Sequence, residues 1–421
     1  MRGESPSQLP DLNPLALTCR IREGDDNEWT IQRNAWPSKN IPTKQRVYLV
    51  NVLAVTLHAG EVASISDADV PRLQETTIPG YEFAGVIIGP PNSGGKFAPG
   101  DSVYGRTSFG RVGNARTFMF VKENELAKMP AEIQWSHAAR IPLGGLIGYQ
   151  ALFSTDTIQK PSITDGWGSE RGEAYQRNSK RTVLITGAGC MAGLWAIELA
   201  KLAGNTEAGR LENCQEADTP KVDMIIDFVG NGLLSNAWWM LKKKGTFVSM
   251  VDDALACKPP ATGNQVRLVN FRLKSDPEAL EVITTLINDR KSALIREINQ
   301  IFDERDEFDI YDHPTALQHV RGNSRGIVVL KIPQLPIDNQ TLVWERFFER
   351  VGNAEQSDNG QVTQESDVED DRPSRLSAWL REDGPSSEKK RRRKLELMIQ
   401  RENSSDSEGQ DSSGEEDDES Q

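Results

Sequence analysis

The segment from Thr182 to Leu202 constrains the fold most, because an apolar strand pattern runs there through a glycine-rich turn into a helical pattern. The turn reads Gly187-Ala188-Gly189-Cys190-Met191-Ala192-Gly193. Glycines let the backbone approach a pyrophosphate closely, and the N–H groups at a helix N-terminus attract its negative charge. These seven residues therefore predict a dinucleotide-binding turn. Their G-x-G-x-x-x-G spacing also suits a turn whose glycines serve packing alone.

Strand and helix patterns alternate from residue 183 onward, which is typical of a parallel sheet covered by helices. The predicted strands are Met224 to Phe228, Thr246 to Val251 and Ile327 to Ile332, and the predicted helices are Leu194 to Leu202, Leu233 to Leu241 and Pro277 to Asn288. Residues 41 to 130 instead show short strands and turns, with a loop predicted from His58 to Asp69. A helix with Ser136 as its N-cap is expected just before Pro142. The pattern predicts an α/β protein with a β-rich part and a parallel-sheet part.

The charge of the chain is concentrated at its C-terminus. The formal net charge is -13, and residues 401 to 421 carry nine acidic side chains against Arg401 alone. We expect residues 353 to 421 to be disordered, because so few apolar side chains cannot offset the entropy of ordering the chain. Leu342 to Val351 predicts a short amphipathic helix that docks on the fold or binds a partner. The remaining charge gives no sign of nucleic-acid binding.

The tail contains one pattern that is typical of targeting signals and one that is typical of phosphorylation sites. The basic run Lys389 to Lys394 fits nuclear import through an import receptor, attachment to an anionic surface, or a solvated tail that folds back on the acidic end and balances its own charge. Several serines lie among acidic residues and resemble sites of an acidophilic kinase: Ser404, Ser405, Ser407, Ser412 and Ser413.

The four cysteines lie far apart and form no C-x-x-C pair, so neither a disulfide framework nor a zinc ribbon is predicted. No stretch approaches the length of about 20 apolar residues that spans a bilayer. We therefore expect a soluble protein of a reducing compartment, placed in the cytoplasm. His137, His313 and His319 have no partner at a recognisable spacing.

Several segments occur in the order found in one family. They are Pro79 to Val86, Phe97 to Gly105, Ala138 to Leu152, Val183 to Ala188, Val222 to Gly230, Gly245 to Ser249 and Arg325 to Leu330. Over residues 40 to 332 the chain resembles the medium-chain dehydrogenase/reductase superfamily. The resemblance implies a GroES-like catalytic domain at 40–141 with 270–332, and a Rossmann-type doubly wound parallel sheet at 142–269. It leaves an N-terminal extension at 1–39 and an inserted surface loop at 155–181, and a homodimer would be in keeping with it.

The resemblance is to the zinc-independent branch that contains quinone oxidoreductases and enoyl reductases. The Gly-His-Glu motif of the zinc enzymes reads Gly80-Tyr81-Glu82 here, and no cysteine lies between Cys19 and Cys190. The resemblance implies hydride transfer from NADPH, with NADH left open, to a small conjugated carbonyl, and no metal. Gly230 and Gly326 join the glycine turn as expected cofactor-binding residues, and the candidates for catalysis are His58, Glu61 and Tyr81.

The chain departs from the family at three places. Only 17 residues separate Gly204 from Val222, where the family has a further strand, helix and strand. Ile147 replaces a threonine that faces the nicotinamide, and His58 and Glu61 replace an asparagine and an aspartate near it. These departures keep a second hypothesis open, a catalytically silent relative that senses nucleotides or binds proteins. An incomplete gene model would also explain the short segment. If the chain is as written, residues 155–181 or 205–221 should cover the free edge of the first parallel strand.

Overall fold

The computed structural model describes thirteen stretches of the chain. They are residues 13–20, 27–37, 46–66, 76–89, 95–109, 111–162, 166–205, 221–230, 233–250, 266–271, 273–289, 302–322 and 326–334. The predictions for the helix at 342–351, the disordered tail, the basic run and the acidic serines lie outside these residues.

The first part of the fold is β-rich. Its strands are β1 (Leu15–Arg20), β2 (Glu28–Arg33), β3 (Val47–His58), β4 (Thr76–Thr77), β5 (Glu82–Gly89), β6 (Ser102–Arg106), β7 (Phe118–Lys122) and β8 (Leu126–Lys128), and its helix is α1 (Ala59–Ser66). One small sheet has the order β2-β1-β4. The larger sheet has the order β13-β14-β3-β5-β6-β8, with β7 also paired to β3, and it includes β13 (Glu307–Asp309) and β14 (Ile327–Lys331) from the end of the described chain.

Strand β3 is the centre of the larger sheet, because it pairs with β5, β7 and β14. Its sequence VYLVNVLAVTLH is buried at every position except His58. A strand covered on both faces needs a continuous apolar run instead of an alternating one. His58 is the last residue of this strand and the first residue of it that is partly exposed.

The second part is a parallel sheet of the order β12-β11-β10-β9. Its strands are β9 (Val183–Thr186), β10 (Val222–Asp227), β11 (Leu241–Ser249) and β12 (Arg267–Asn270). The helices of the described chain that follow α1 are α2 (Trp135–Ala138), α3 (Pro142–Phe153), α4 (Glu173–Asn178), α5 (Met191–Leu202), α6 (Leu233–Met240), α7 (Pro277–Asn288) and α8 (His313–Gly322). None of the described helices is long and apolar enough to cross a bilayer.

Helices cover both faces of the parallel sheet, since neighbouring residues of β10 belong to different apolar clusters. Met224 and Ile226 pack in one cluster with side chains of α3 and α5, whereas Ile225 packs in another with Trp238 of α6. This is the side-chain alternation that a strand imposes. The prediction of an α/β fold with a doubly wound parallel sheet is confirmed.

Two glycines let α3 and α5 approach each other closely. A Cβ on Gly144 would lie 2.8 Å from the Cβ of Met191, and one on Gly148 would lie 2.8 Å from the backbone of both Ala192 and Ala196. The first turn of α3 therefore lies against the first turn of α5, which directly follows the glycine turn.

Two local predictions were wrong. The loop expected from His58 to Asp69 is largely helix α1, whose Val62 and Glu61 are buried. Ser136 is not an N-cap, because α2 begins at Trp135 after Gln134 and the longer helix α3 begins at Pro142. Proline suits the first position of a helix, where its missing N–H removes no hydrogen bond.

The insertion at 155–181 is also more than a surface loop. It contains α4, and its Ile158 and Trp167 are buried in the same apolar cluster as α3 and α5. These apolar side chains explain why the segment packs on the fold. Residues 206–220 lie outside the described chain, so the expected covering of the free edge of β9 stays a prediction.

Candidate functional site

The glycine turn connects the carboxyl end of β9 to the start of α5. Gly187 has a φ of +72°, a left-handed conformation that glycine adopts without strain. A Cβ on Gly193 would lie 2.2 Å from the carbonyl oxygen of Gly187, so only glycine lets the helix begin this close to the turn. Cys190 is the N-cap of α5, and its Sγ accepts a hydrogen bond from the Gly193 N–H at 3.4 Å.

The outer side of this turn is open. Ala188 and Gly189 are exposed, and a Cβ on Gly189 would meet no heavy atom of the described chain within 4 Å. Because the first turn of a helix leaves backbone N–H groups without an intrahelical partner, the start of α5 at Met191 adds donors at the same place. The shape and polarity of residues 187 to 193 fit a pyrophosphate group.

Asp227, at the carboxyl end of β10, connects three strand ends. Its side chain is fully buried and accepts hydrogen bonds from Thr186 Oγ1 at 2.5 Å, from Ser249 Oγ at 3.2 Å and from the N–H groups of Val229 and Gly230 at 3.2 and 3.1 Å. Gly230, which was expected to contact a cofactor, has a φ of +73° and gives its N–H to this carboxylate. Asp227 was not a predicted site residue, although a lone acid closing an apolar strand is a signal that could have identified it.

The loop after β10 lies directly beside the glycine turn. A Cβ on Gly187 would lie 3.0 Å from Phe228 Cβ and 3.0 Å from Val229 Cγ2. Val229 is 36% exposed, which is unusual for a large apolar side chain at the end of a buried strand. The carboxyl edge of the sheet therefore offers an exposed apolar side chain next to the open backbone of the turn.

A second polar group lies at the end of β3. Glu82 is buried, and its Oε2 lies 2.5 Å from His58 Nε2, while its Oε1 accepts the N–H of Leu143 at 2.6 Å. Leu143 belongs to the first turn of α3, where N–H groups and the helix dipole favour a carboxylate. Glu82 therefore joins the candidate His58 to the helix that packs on the glycine turn. Glu82 was not among the predicted site residues.

Glu61 is buried on the other side of this group. Its Oε1 accepts the N–H of Gly80 at 2.5 Å, and its Oε2 is buried without a hydrogen-bond partner in the described chain. Burial raises the pKa of the Glu61 carboxyl to about 8, with a further contribution from the charge of Glu82. The side chain is therefore mostly protonated near neutral pH and can act as a proton donor.

The raised pKa of Glu61 predicts a pH dependence of stability. The pKa of this carboxyl is lower in the unfolded chain, about 4.5. The free energy of unfolding is therefore unaffected by its ionisation below about pH 4.5, and falls as the pH rises from there to about 8. Glu61→Gln keeps an acceptor for the Gly80 N–H and cannot ionise. We expect the variant to match the wild type near pH 5 and to be more stable at pH 8.5, measured as free energy of unfolding in urea. Equal stability of the two proteins across this range would contradict the assignment.

The other predicted site residues lie around these two groups. Tyr81 is half-buried, and its ring packs edge-on against Phe109 with the ring centroids 5.3 Å apart. Gly326 lies beside His58 in the sheet, where Ile327 pairs with His58 and the Gly326 carbonyl accepts the N–H of Ala59. Ile147 on α3 is fully buried. The structure thus brings His58, Tyr81 and Gly326 to the β-rich part, and the remaining cofactor candidates to the edge of the parallel sheet.

The two groups meet at the N-terminus of α3. The N–H of Leu143 binds Glu82, and the next residue, Gly144, contacts Met191 at the start of α5. Consecutive residues of α3 therefore contact the His58–Glu82 pair and the start of α5. This junction defines the candidate active site.

The residues at this site do not fit a zinc centre. The described residues contain no group of three or more His, Cys, Asp or Glu side chains that could hold a metal ion. His58 and Glu82 bind each other, and the Glu82 and Glu61 oxygens also hold the N–H groups of Leu143 and Gly80. A metal would have to break these bonds and would still lack a third ligand from the described chain.

The remaining histidines do have partners, contrary to expectation. His319 Nε2 lies 2.9 Å from Asp306 Oδ1, His137 Nε2 lies 3.7 Å from Glu307 Oε1, and His313 Nδ1 lies 3.2 Å from the carbonyl of Ile310. These contacts stabilise the region around β13 and α8 and lie outside the candidate site.

The chain shares its sequence pattern with known oxidoreductases. It is 28% identical over 298 residues to a protein of Arthroderma benhamiae called "Probable zinc-binding oxidoreductase, mitochondrial", a match that covers 64% of this chain and 84% of that protein. It is 28% identical over 155 residues to the "Quinone-oxidoreductase homolog, chloroplastic" of Spinacia oleracea, which covers 36% of this chain and 43% of that one. No family model matches the chain.

Solved structures share its fold. The quinone oxidoreductase of Coxiella burnetii aligns with a TM-score of 0.55 at 19% identity, over 76% of this chain and 100% of that one. S. aureus TarJ in complex with NADPH aligns with a TM-score of 0.57 at 15% identity, over 77% and 100%. A β-rich part joined to a doubly wound parallel sheet with a glycine turn is the architecture of the two-domain dehydrogenases and reductases. These relatives and structural neighbours are members of the medium-chain dehydrogenase/reductase family of oxidoreductases, which this chain resembles in sequence and in fold.

Proposed function

We propose that this protein is a zinc-independent reductase that transfers a hydride from NADPH, or from NADH, to a small conjugated carbonyl such as an enone or a quinone. The observation that carries the proposal is the junction at α3, where Leu143 binds Glu82 and Gly144 contacts Met191. The buried acid–histidine pair and the start of α5 thus contact consecutive residues of α3, which supports a site shared by the two parts. The names of the quinone oxidoreductases among the relatives and structural neighbours support the substrate class.

The proposed roles follow from the contacts. Residues 187 to 193 hold the pyrophosphate through backbone N–H groups, and Gly230 shapes the neighbouring loop through Asp227. The nicotinamide supplies the hydride when it is bound. Reduction of a conjugated carbonyl also needs a proton, and the proposed donor is His58, held by Glu82, or the protonated Glu61. Tyr81, packed on Phe109, forms part of the wall beside them.

Zinc independence is part of the proposal. One relative is named as zinc-binding, but at the candidate site the two Glu82 oxygens are engaged with His58 and with the Leu143 N–H. A hydride acceptor that is already polarised by conjugation needs orientation and a proton more than a Lewis acid. We also propose the division into a catalytic part at 40–141 with 270–332 and a nucleotide-binding part at 142–269, because the junction at α3 lies between them.

The test is a direct assay of cofactor binding and turnover. Calorimetric titration of the full chain with NADPH and NADH should show micromolar binding of at least one of them. A panel of enones and quinones should then oxidise the bound cofactor, measured as loss of reduced-nicotinamide absorbance. Binding without turnover across the panel would favour the alternative of a nucleotide-sensing relative, and no binding of either cofactor would contradict the proposal.

Gly189→Asp tests whether the glycine turn is the binding site. The new side chain enters open space, so we expect the fold to survive, while its charge opposes the pyrophosphate and weakens NADPH binding at least about 10-fold. Gly322→Asp is the matched control, because Gly322 at the end of α8 also has open space around its Cβ position. Equal affinities of the two variants for NADPH would show that the cofactor binds elsewhere.

A further inference from the structure

The insertion forms a cavity of about 860 Å³ that the proposed reaction does not use. Its walls are residues 153 and 155–160, after α3, and residues 177, 178, 180 and 181, at the end of α4. We call it the insertion cavity. Its volume lies within the range of about 300–1,000 Å³ that is common for small-molecule sites.

The insertion cavity lies at the opposite end of the parallel sheet from the glycine turn. Thr157 Oγ1 lies 2.6 Å from Thr246 Oγ1, and Thr246 pairs with Met224 near the start of β10. Arg181 Nη1 donates to Asp223 Oδ1 at 2.9 Å at the same end of β10. The glycine turn follows the other end of β9. Helix α5 has 12 residues and so spans about 18 Å between the two ends. A ligand in the insertion cavity is therefore distinct from the cofactor.

Cations dominate the wall of this cavity. Lys160, Arg177, Lys180 and Arg181 line it, against Asp156 as the one acidic lining residue. Lys180 has no carboxylate partner within the described stretches, and the pairs of Arg177 with Glu173 and of Lys160 with Glu278 are exposed on both sides. Arg181 is paired with the buried Asp223 through one of its guanidinium nitrogens. Exposed ion pairs are weak, so a stronger anion can replace Glu173 at little cost. The wall is thus suited to an anionic ligand.

One buried side chain holds the backbone of the cavity walls in place. Asn178 is 1% exposed, its Oδ1 accepts the N–H of Gln159 at 2.8 Å, and its Nδ2 donates to the carbonyls of Gln159 and Ala203 at 2.8 Å. These bonds tie both walls to the end of α5. The cationic side chains therefore project from a backbone that is held in place before any ligand binds, which lowers the entropy that binding costs.

The remaining lining residues indicate which other groups the ligand carries besides its negative charge. Phe153 and Ile158 add apolar surface, and the Oε1 of Gln159 is buried without a hydrogen-bond partner in the described chain. Two guanidinium groups favour a phosphate, whose oxygens match their paired donors. We propose that the insertion cavity binds a small phosphate ester, a phosphorylated molecule with a carbon skeleton and donor groups such as hydroxyls.

The experiment is calorimetric titration of the full chain with glucose 6-phosphate and AMP, and with glucose and adenosine as uncharged counterparts, at fixed ionic strength. At least one phosphate ester should bind, and its counterpart should not. The double variant Arg177→Gln/Lys180→Gln should weaken that binding at least about 10-fold, since two of four lining cations are gone. Both side chains are exposed, so thermal unfolding should be unchanged.

Two controls separate this site from general attraction and from the cofactor turn. Arg171→Gln/Lys201→Gln removes the same charge from exposed positions that do not line the cavity, and should change the affinity less than two-fold. Gly189→Asp should leave it unchanged. The proposal is overturned if neither ester binds, if both double variants weaken binding equally, or if Gly189→Asp alone abolishes it.

Discussion

Replacement of Asp227 by alanine should lower the free energy of unfolding by about 3–5 kcal/mol, because it leaves several buried donors without an acceptor. Thr186 Oγ1, Ser249 Oγ and the N–H groups of Val229 and Gly230 all lose the same partner. The loop beside the glycine turn would lose its shape with them, so NADPH affinity should fall as well. Urea unfolding and calorimetric titration measure the two effects.

Asp223→Ala is the matched control on the same strand. Asp223 also binds two side chains, but these are Arg181 and Lys242, which are about half exposed and can be hydrated when the carboxylate is removed. We expect a cost of about 1 kcal/mol and an unchanged affinity for NADPH. Similar losses in the two variants would show that Asp227 does not organise the strand ends.

Replacement of Glu82 by alanine should affect both stability and turnover. His58 and the Leu143 N–H would lose a buried partner, which costs about 3–5 kcal/mol when one member of a buried pair is removed. If His58 supplies the proton, its loss of orientation should lower kcat by about 100-fold or more. Stopped-flow measurement of NADPH oxidation separates this effect from a change in substrate affinity.

Glu125→Ala shows whether the loss of turnover is specific. Glu125 is another buried carboxylate, which lies 2.5 Å from Arg111 Nη1 and accepts the Lys122 N–H at 3.0 Å. Its hydrogen bonds go to neither His58 nor Leu143. Its removal should lower the free energy of unfolding by about as much as Glu82→Ala does, and should leave kcat nearly unchanged. An equal fall in kcat in both variants would reduce the His58–Glu82 pair to a structural role.

The sequence predicts elements best where local signals agree. Helix α7 has the predicted bounds Pro277–Asn288, because proline at its first turn, Asp276 as N-cap and a regular apolar face all indicate the same helix. The parallel strands follow from apolar runs, and β10 begins two residues earlier than expected, at Val222. Helix α1 was missed because its sequence lies between two strand patterns, and because its burial depends on contacts with distant residues such as Gly80.

The candidate site was predicted only in part, for a physical reason. The glycine turn is local, so its seven residues could be found from their order alone. The His58–Glu82 pair joins residues 24 positions apart in the chain, and the bond from Leu143 spans 61. Such contacts depend on the pairing of β3 with β5 and on the position of α3, which a linear pattern does not contain.

The close contact of α3 and α5 also determines how the two parts of the protein can move. Gly144 and Gly148 leave no gap between the helices, and Glu82 fixes the start of α3 to the β-rich part. Relative rotation about this point would break a buried hydrogen bond and open a void between two backbones. The start of α3 therefore restrains relative rotation of the β-rich part and the parallel-sheet part at this point.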